Sequence, residues 1–184
     1  MNANIVIVGV GGQGILLTSR ILGALALRIG ADIKVSEVHG MSQRGGSVIT
    51  HVRIGSKIHS PLVDLGCADY VLSFEHLEAL RAEGYLRKDG MLIENSQRID
   101  PMPVIMGNAA YPVQAPEFPN TVSVDALSLA CESGSAKAVN IVLLGVLAKF
   151  LKAEQSDWED AICACVPAKT IEMNLKAFRA GLNA

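Results

Sequence analysis

The sequence predicts an α/β protein built on an open, mainly parallel sheet, with helices on both faces and an inserted β-hairpin. Three observations lead there. Residues 5–14, I-V-I-V-G-V-G-G-Q-G, form an apolar β-branched run that breaks into a glycine loop and continues into a long apolar helix. Strand, crossover helix and further strand then recur along the chain, the order that builds parallel pairs. Residues 47–54 alternate, with Val48, Thr50 and Val52 facing opposite to Ile49, His51 and Arg53, which is the period of a strand.

The first strand feeds residues 9–14. Gly9 and Gly11 let the backbone turn tightly and approach a ligand, Gly12 and Gln13 complete the loop, and Gly14 lets the next helix, from about Gln13 to Ile29, pack close to the sheet. The run fits G-x-G-x-x-G, the fingerprint of Rossmann-like dinucleotide folds. A second strand at 32–36 ends in Glu37, at about the remove expected of a ribose-binding acid. The helix would aim its free N–H groups and positive dipole end at the loop, so a phosphate or carboxylate can bind there without a charged side chain. The same glycines also serve simple helix–sheet packing, and the pattern alone does not choose between the two.

A polar, glycine-rich segment spans 39–46. After the strand at 47–54, Gly55-Ser56-Lys57 reads as a turn, with Ile58 and His59 extending a short hairpin, and Pro61 opens a helix or loop that ends at Gly66. Residues 69–74 form a strand, Glu75 opens a helix through about Arg81, and 90–94 form a further buried strand. Residues 101–119 hold five of the seven prolines, so an extended connection is expected there, with one short strand at 104–106. Residues 121–124 return to the sheet, Asp125 caps a helix, and the remainder is helical. The helix near 137–152 is apolar nearly all round, as in a central helix or one that also packs on another subunit. Asn140 is its one polar intrusion, and Gly145 allows a close neighbour. Ligands of open α/β sheets collect beyond the carboxyl ends of the strands, where the glycine loop, Glu37, Glu75 and Asn95 all fall.

Composition narrows the function. A length of 184 residues is read as one domain, 1–184, with no room for a second catalytic domain. Fifty per cent apolar and only 18% charged residues suggest surface reserved for a partner, as in an obligate subunit. A net charge of −2 with few aromatic residues argues against nucleic acid. The first apolar run lacks a basic lead and is cut by glycines, so neither signal peptide nor membrane span is expected, and a cytoplasmic location is. Cys67, Cys131, Cys163 and Cys165 have neither zinc nor iron–sulfur spacing, and His39, His51 and His59 match no common ligand pattern; no metal site and no catalytic residue is assigned. The glycine-flanked Gln43-Arg44 pair can offer an amide and a guanidinium fork to a carboxylate, a phosphate or a partner's backbone.

Four segments together carry a resemblance: G-V-G-G-Q-G-I-L at 9–16, S-E-V-H-G-M-S-Q-R-G-G-S-V at 36–48, S-P-L-V at 60–63 and A-D-Y-V-L-S-F-E at 68–75, with N-I-V-L-L-G at 140–145 as a late anchor. They resemble the beta subunits of indolepyruvate ferredoxin oxidoreductases, within the gamma-type domain family of the 2-oxoacid:ferredoxin oxidoreductases. The resemblance implies a complex that oxidatively decarboxylates indolepyruvate and other arylpyruvates to the aryl-acetyl-CoA and passes electrons to ferredoxin. It also implies that thiamine diphosphate and the iron–sulfur clusters reside on a larger alpha subunit, that this chain binds no cofactor firmly and is inactive alone, and that it helps position coenzyme A. The site residues expected on that basis are the loop Gly9, Gly11, Gly12, Gln13 and Gly14, with Glu37, His39, Gln43, Arg44, Glu75 and Asn95. The alternatives are a gamma subunit for another 2-oxoacid and a stand-alone NAD-binding module.

Overall fold

The computed structural model describes residues 1–40, 46–112 and 118–184. Among these, six strands form a single sheet in the order β2-β3-β1-β4-β5-β6. They are β1 (Ala3–Val10), β2 (Asp32–His39), β3 (Ser47–Gly55), β4 (Ala68–Ser73), β5 (Leu86–Asn95) and β6 (Thr121–Val124). The pairs β1–β4, β4–β5 and β5–β6 are parallel, whereas β3 runs antiparallel to both β1 and β2. The helices are α1 (Ile15–Arg28), α2 (His76–Ala82), α3 (Met102–Ile105), α4 (Ala126–Glu132), α5 (Val139–Ala148), α6 (Gln155–Cys165) and α7 (Ile171–Asn183).

Strand periodicity divides the apolar side chains between two cores. Ile5, Ile7, Val52, Ile54, Leu72 and Ile93 point to one face, covered by α1, α5 and α7, where Trp158 and Phe178 are also buried. Val6, Val8, Val71 and Leu92 point to the other, against Ala79 and Ala82 of α2. Residues 139–148 are all buried within the chain itself. The all-round apolarity of α5 therefore needs no second subunit to explain it. Gly145 meets α7, not another molecule: a Cβ there would stand 2.1 Å from the Phe178 carbonyl oxygen, and one at Gly181 1.9 Å from that of Val142. These two glycines let the helices touch backbone to backbone.

Three expectations are corrected. Ile58 and His59 form no strand; β3 is already partnered on both sides, and the Ile58 N–H instead donates to the Asp32 carboxylate at 2.8 Å. The inserted hairpin is β2–β3. Residues 104–106 are not a strand, because Met102–Ile105 is a helical turn. Pro103 sits in that first turn, where its missing N–H costs nothing, and Val104 and Ile105 both donate to the Pro101 carbonyl. The second strand runs on to His39, so Glu37 lies inside it, not past its end.

Candidate functional site

The carboxyl ends of β1, β4 and β5 meet at the glycine loop. Gly12 and Gly14 hold φ of 105° and 89°, values that an L side chain resists, and Gly14 caps α1 with no side-chain acceptor. The first bond of α1 runs from the Thr18 N–H to the Gly14 carbonyl at 3.1 Å. The preceding first-turn N–H groups have no helical acceptor, and their dipole end faces outward.

Two amide side chains lock this edge. Gln13 accepts from the Val10 N–H at 2.7 Å through Oε1 and donates from Nε2 to the Phe74 carbonyl at 3.1 Å. Asn95 donates to the same carbonyl at 3.1 Å and accepts from the Ala126 N–H at 3.2 Å, tying β4 to the start of α4. Glu75 is 1% exposed and caps α2; it accepts from the Glu78 and Ile99 N–H groups, each at 3.0 Å, and from the Tyr111 hydroxyl at 2.5 Å. Burial first, and then the Glu75 carboxylate, push the Tyr111 hydroxyl far above the ordinary phenol range, so it stays a donor. Gln13, Glu75 and Asn95 thus build the wall of the site, with their side-chain bonding directed into the protein.

In front of that wall lies a cavity of about 520 Å³, a size typical of ligand pockets. Gly12, Gln13 and Gly14 line it together with Gln97, Ile99, Lys137 and Asn140. Among the described residues, none of its lining side chains is acidic. Lys137 stands in the 3-10 turn Ala136–Ala138 that leads into α5, exposed, with no ion pair among the described residues. Asn140 is 2% exposed; its Nδ2 donates to the Gly14 carbonyl at 3.4 Å, while its Oδ1 has no described donor. Leu17, Ile99, Leu127 and Val139 make the rest of the lining apolar, so the polar groups the cavity offers a ligand are the glycine loop at the start of α1, the Lys137 ammonium and the Asn140 amide oxygen.

The other expected residues lie elsewhere. Glu37 is on edge strand β2, with β3 between it and β1, about 10 Å away at two strand spacings. Its carboxylate is paired with His39 Nε2 at 2.7 Å and accepts from Thr50 Oγ1 at 3.2 Å. The inserted strand occupies the place where a ribose-binding acid would stand. Gln43 and Arg44 lie outside the described residues. Lys137 and Gln97 carried no sequence signal, since a lysine before a helix and a glutamine after a strand are ordinary surface residues. Asn140 did carry one, as the single polar residue of an apolar helix. Among the described residues no three His, Cys, Asp or Glu side chains gather as for a metal ion, and no helix is long and apolar enough to cross a membrane.

Known proteins share this architecture. The family model described as pyruvate ferredoxin/flavodoxin oxidoreductase matches residues 4–184. Indolepyruvate oxidoreductase subunit IorB of Pyrococcus horikoshii is 44% identical, with 98% of this chain and 95% of that protein aligned. Ketoisovalerate oxidoreductase subunit VorA of Methanothermobacter marburgensis is 28% identical over 95% of this chain, but the match takes up only 35% of VorA. In the gamma subunit of the keto/oxoacid ferredoxin oxidoreductase from Geobacter sulfurreducens the fold recurs with a TM-score of 0.77 at 23% identity, covering 98% of this chain and 96% of that one. The chain belongs to the pyruvate ferredoxin/flavodoxin oxidoreductase family, among the subunits of its oxidoreductases.

Proposed function

We propose that the chain is the smaller, beta subunit of an indolepyruvate ferredoxin oxidoreductase, and that its glycine-loop cavity takes a phosphate group of coenzyme A. The observation that carries the reading is a cavity without acidic lining, set at the open N-terminus of α1 and faced by Lys137. In the whole reaction the arylpyruvate loses carbon dioxide, the electrons released pass to ferredoxin, and the acyl group is taken by the coenzyme A thiol. Thiamine diphosphate and the iron–sulfur clusters are assigned to a larger alpha subunit, in keeping with the cysteine spacing of this chain. The complex is taken to work in the cytoplasm.

Within that division of labour this chain binds and orients. First-turn N–H groups of α1 and Lys137 Nζ hold the anion, Asn140 Oδ1 accepts from an amide or hydroxyl of the same ligand, and Arg44 adds a second cation. The rigid wall of Gln13, Glu75 and Asn95 fixes the loop so that little ordering is needed on binding. The NAD-binding alternative is disfavoured by the position of Glu37.

Coenzyme A titrated into the purified chain should bind, and Lys137→Ala and Arg44→Ala should each weaken it about tenfold, the effect of losing one charge-assisted bond of about 1.5 kcal/mol. Absence of binding by the wild type, or equal binding by all three proteins, would overturn the reading.

A further inference from the structure

A second concave feature lies on the same edge of the sheet, between α2 and α3. This groove has a volume of about 210 Å³; its apolar lining comes from Val10, Leu77, Ile99, Met102 and Ile105, and Glu75, Glu78, Arg81 and Asp100 also border it. Its outer lip is apolar and open: Met102, Ile105 and Met106 are 63%, 64% and 65% exposed. Spaced i, i+3 and i+4, they share one face of a helical turn. The turn is well tied, since Val104 and Ile105 donate to the Pro101 carbonyl, Met106 to that of Met102, and Asn108 and Ala109 to that of Pro103. Three large apolar side chains held outward on a braced turn are costly to leave in water and mark a contact surface. Ile99 lines both this groove and the glycine-loop cavity, so whatever covers the turn also borders the ligand.

We infer that the Met102/Ile105/Met106 turn and its groove are the seat of the larger subunit, which places an apolar or aromatic side chain in the groove. This rests on the reading of the chain as one subunit of a larger oxidoreductase. Two points favour that occupant over a second copy. On the proposed function, the reactive end of a ligand held at the glycine loop must reach groups outside this chain, and Ile99, shared by both cavities, puts the turn beside that ligand. In VorA the region matching this chain is about a third of a longer polypeptide, so there a related sequence is joined to further chain. Met and aromatic anchors in small pockets are the usual carriers of interface affinity.

The test coexpresses the full chain with the thiamine-dependent large subunit of its own organism and measures their association. Met102→Glu with Ile105→Glu should weaken association at least about a hundredfold, the loss of two anchors. The urea midpoint of the isolated variant should be unchanged, because the replaced side chains are solvent-exposed. Met102→Leu with Ile105→Leu should associate normally, as should Leu65→Glu, an exposed apolar residue of the segment leading into the amino end of β4. Wild-type association of the double glutamate variant would overturn the inference. So would loss of self-association by that variant with large-subunit binding intact, which would make the turn a seat for a second copy. Failure of the wild type to associate with the large subunit at all would instead strike at the subunit reading.

Discussion

Gly12 and Gly14 share a backbone conformation and differ in surroundings, so alanine at each position separates two effects. Both hold positive φ, and an L side chain there costs about 1–2 kcal/mol. A Cβ at Gly12 meets nothing within 4 Å, so Gly12→Ala should lose only that amount. At Gly14 the Cβ would stand 2.9 Å from Asn140 Nδ2 and 3.1 Å from its Cγ. Asn140 is 2% exposed in α5, and making way for the Cβ displaces its bond to the Gly14 carbonyl. Overpacking of this kind adds about 1–3 kcal/mol. Gly14→Ala should therefore lose about 2–5 kcal/mol in urea denaturation followed by far-ultraviolet circular dichroism, with an unchanged m value. It should also lose coenzyme A binding, because the first turn of α1 is re-aimed. Equal losses at the two positions, or a larger one at Gly12, would refute the close packing of Asn140 on the loop.

Further outcomes follow from the packing and the titrating groups. Gly145→Ala gains about 1 kcal/mol of helix propensity but forces α5 from α7, so a net loss of about 2 kcal/mol or more is expected in the same assay; a stabilised variant would contradict the backbone contact. Burial holds His51 below the ordinary histidine range while its Nδ1 accepts from the Val63 N–H at 3.3 Å. The unfolded chain therefore takes up that proton at higher pH than the folded one. Its contribution to stability is complete above about pH 6.5 and falls as the pH drops from there through the folded value. Urea midpoints across this window should fall less steeply for His51→Gln than for wild type, and parallel curves would remove His51 as a cause.

Much of this architecture is legible in local chemistry. β-branched runs, the glycine loop and Asp125 before an apolar segment place β1, α1, β4 and α4 within a few residues, because each is decided by near neighbours in sequence. Elements that depend on distant partners are not legible in the same way. Residues 58–59 read as a hairpin arm only as long as β3 is given no other partner, and the sheet order that seats β3 between β1 and β2 has no local signal. The proline-rich stretch hides a helical turn because Pro103 suits a first turn as well as it suits extended chain. The site divides likewise. The loop and its helix are written in the glycines, whereas the inward bonding of Gln13, Glu75 and Asn95 depends on carbonyl and amide groups brought together by folding. A polar residue at a strand end announces that it is bonded, without saying whether the partner is a ligand or the protein. Lys137 enters from more than a hundred residues beyond the loop that it faces.

On the proposed function, this chain holds an anionic part of coenzyme A at the glycine loop while the redox chemistry proceeds on its partner. Steady-state kinetics of the assembled oxidoreductase carrying Lys137→Ala test it most directly. KM for coenzyme A should rise about tenfold, with KM for indolepyruvate unchanged. An unchanged KM for coenzyme A, or a rise confined to indolepyruvate, would contradict the account.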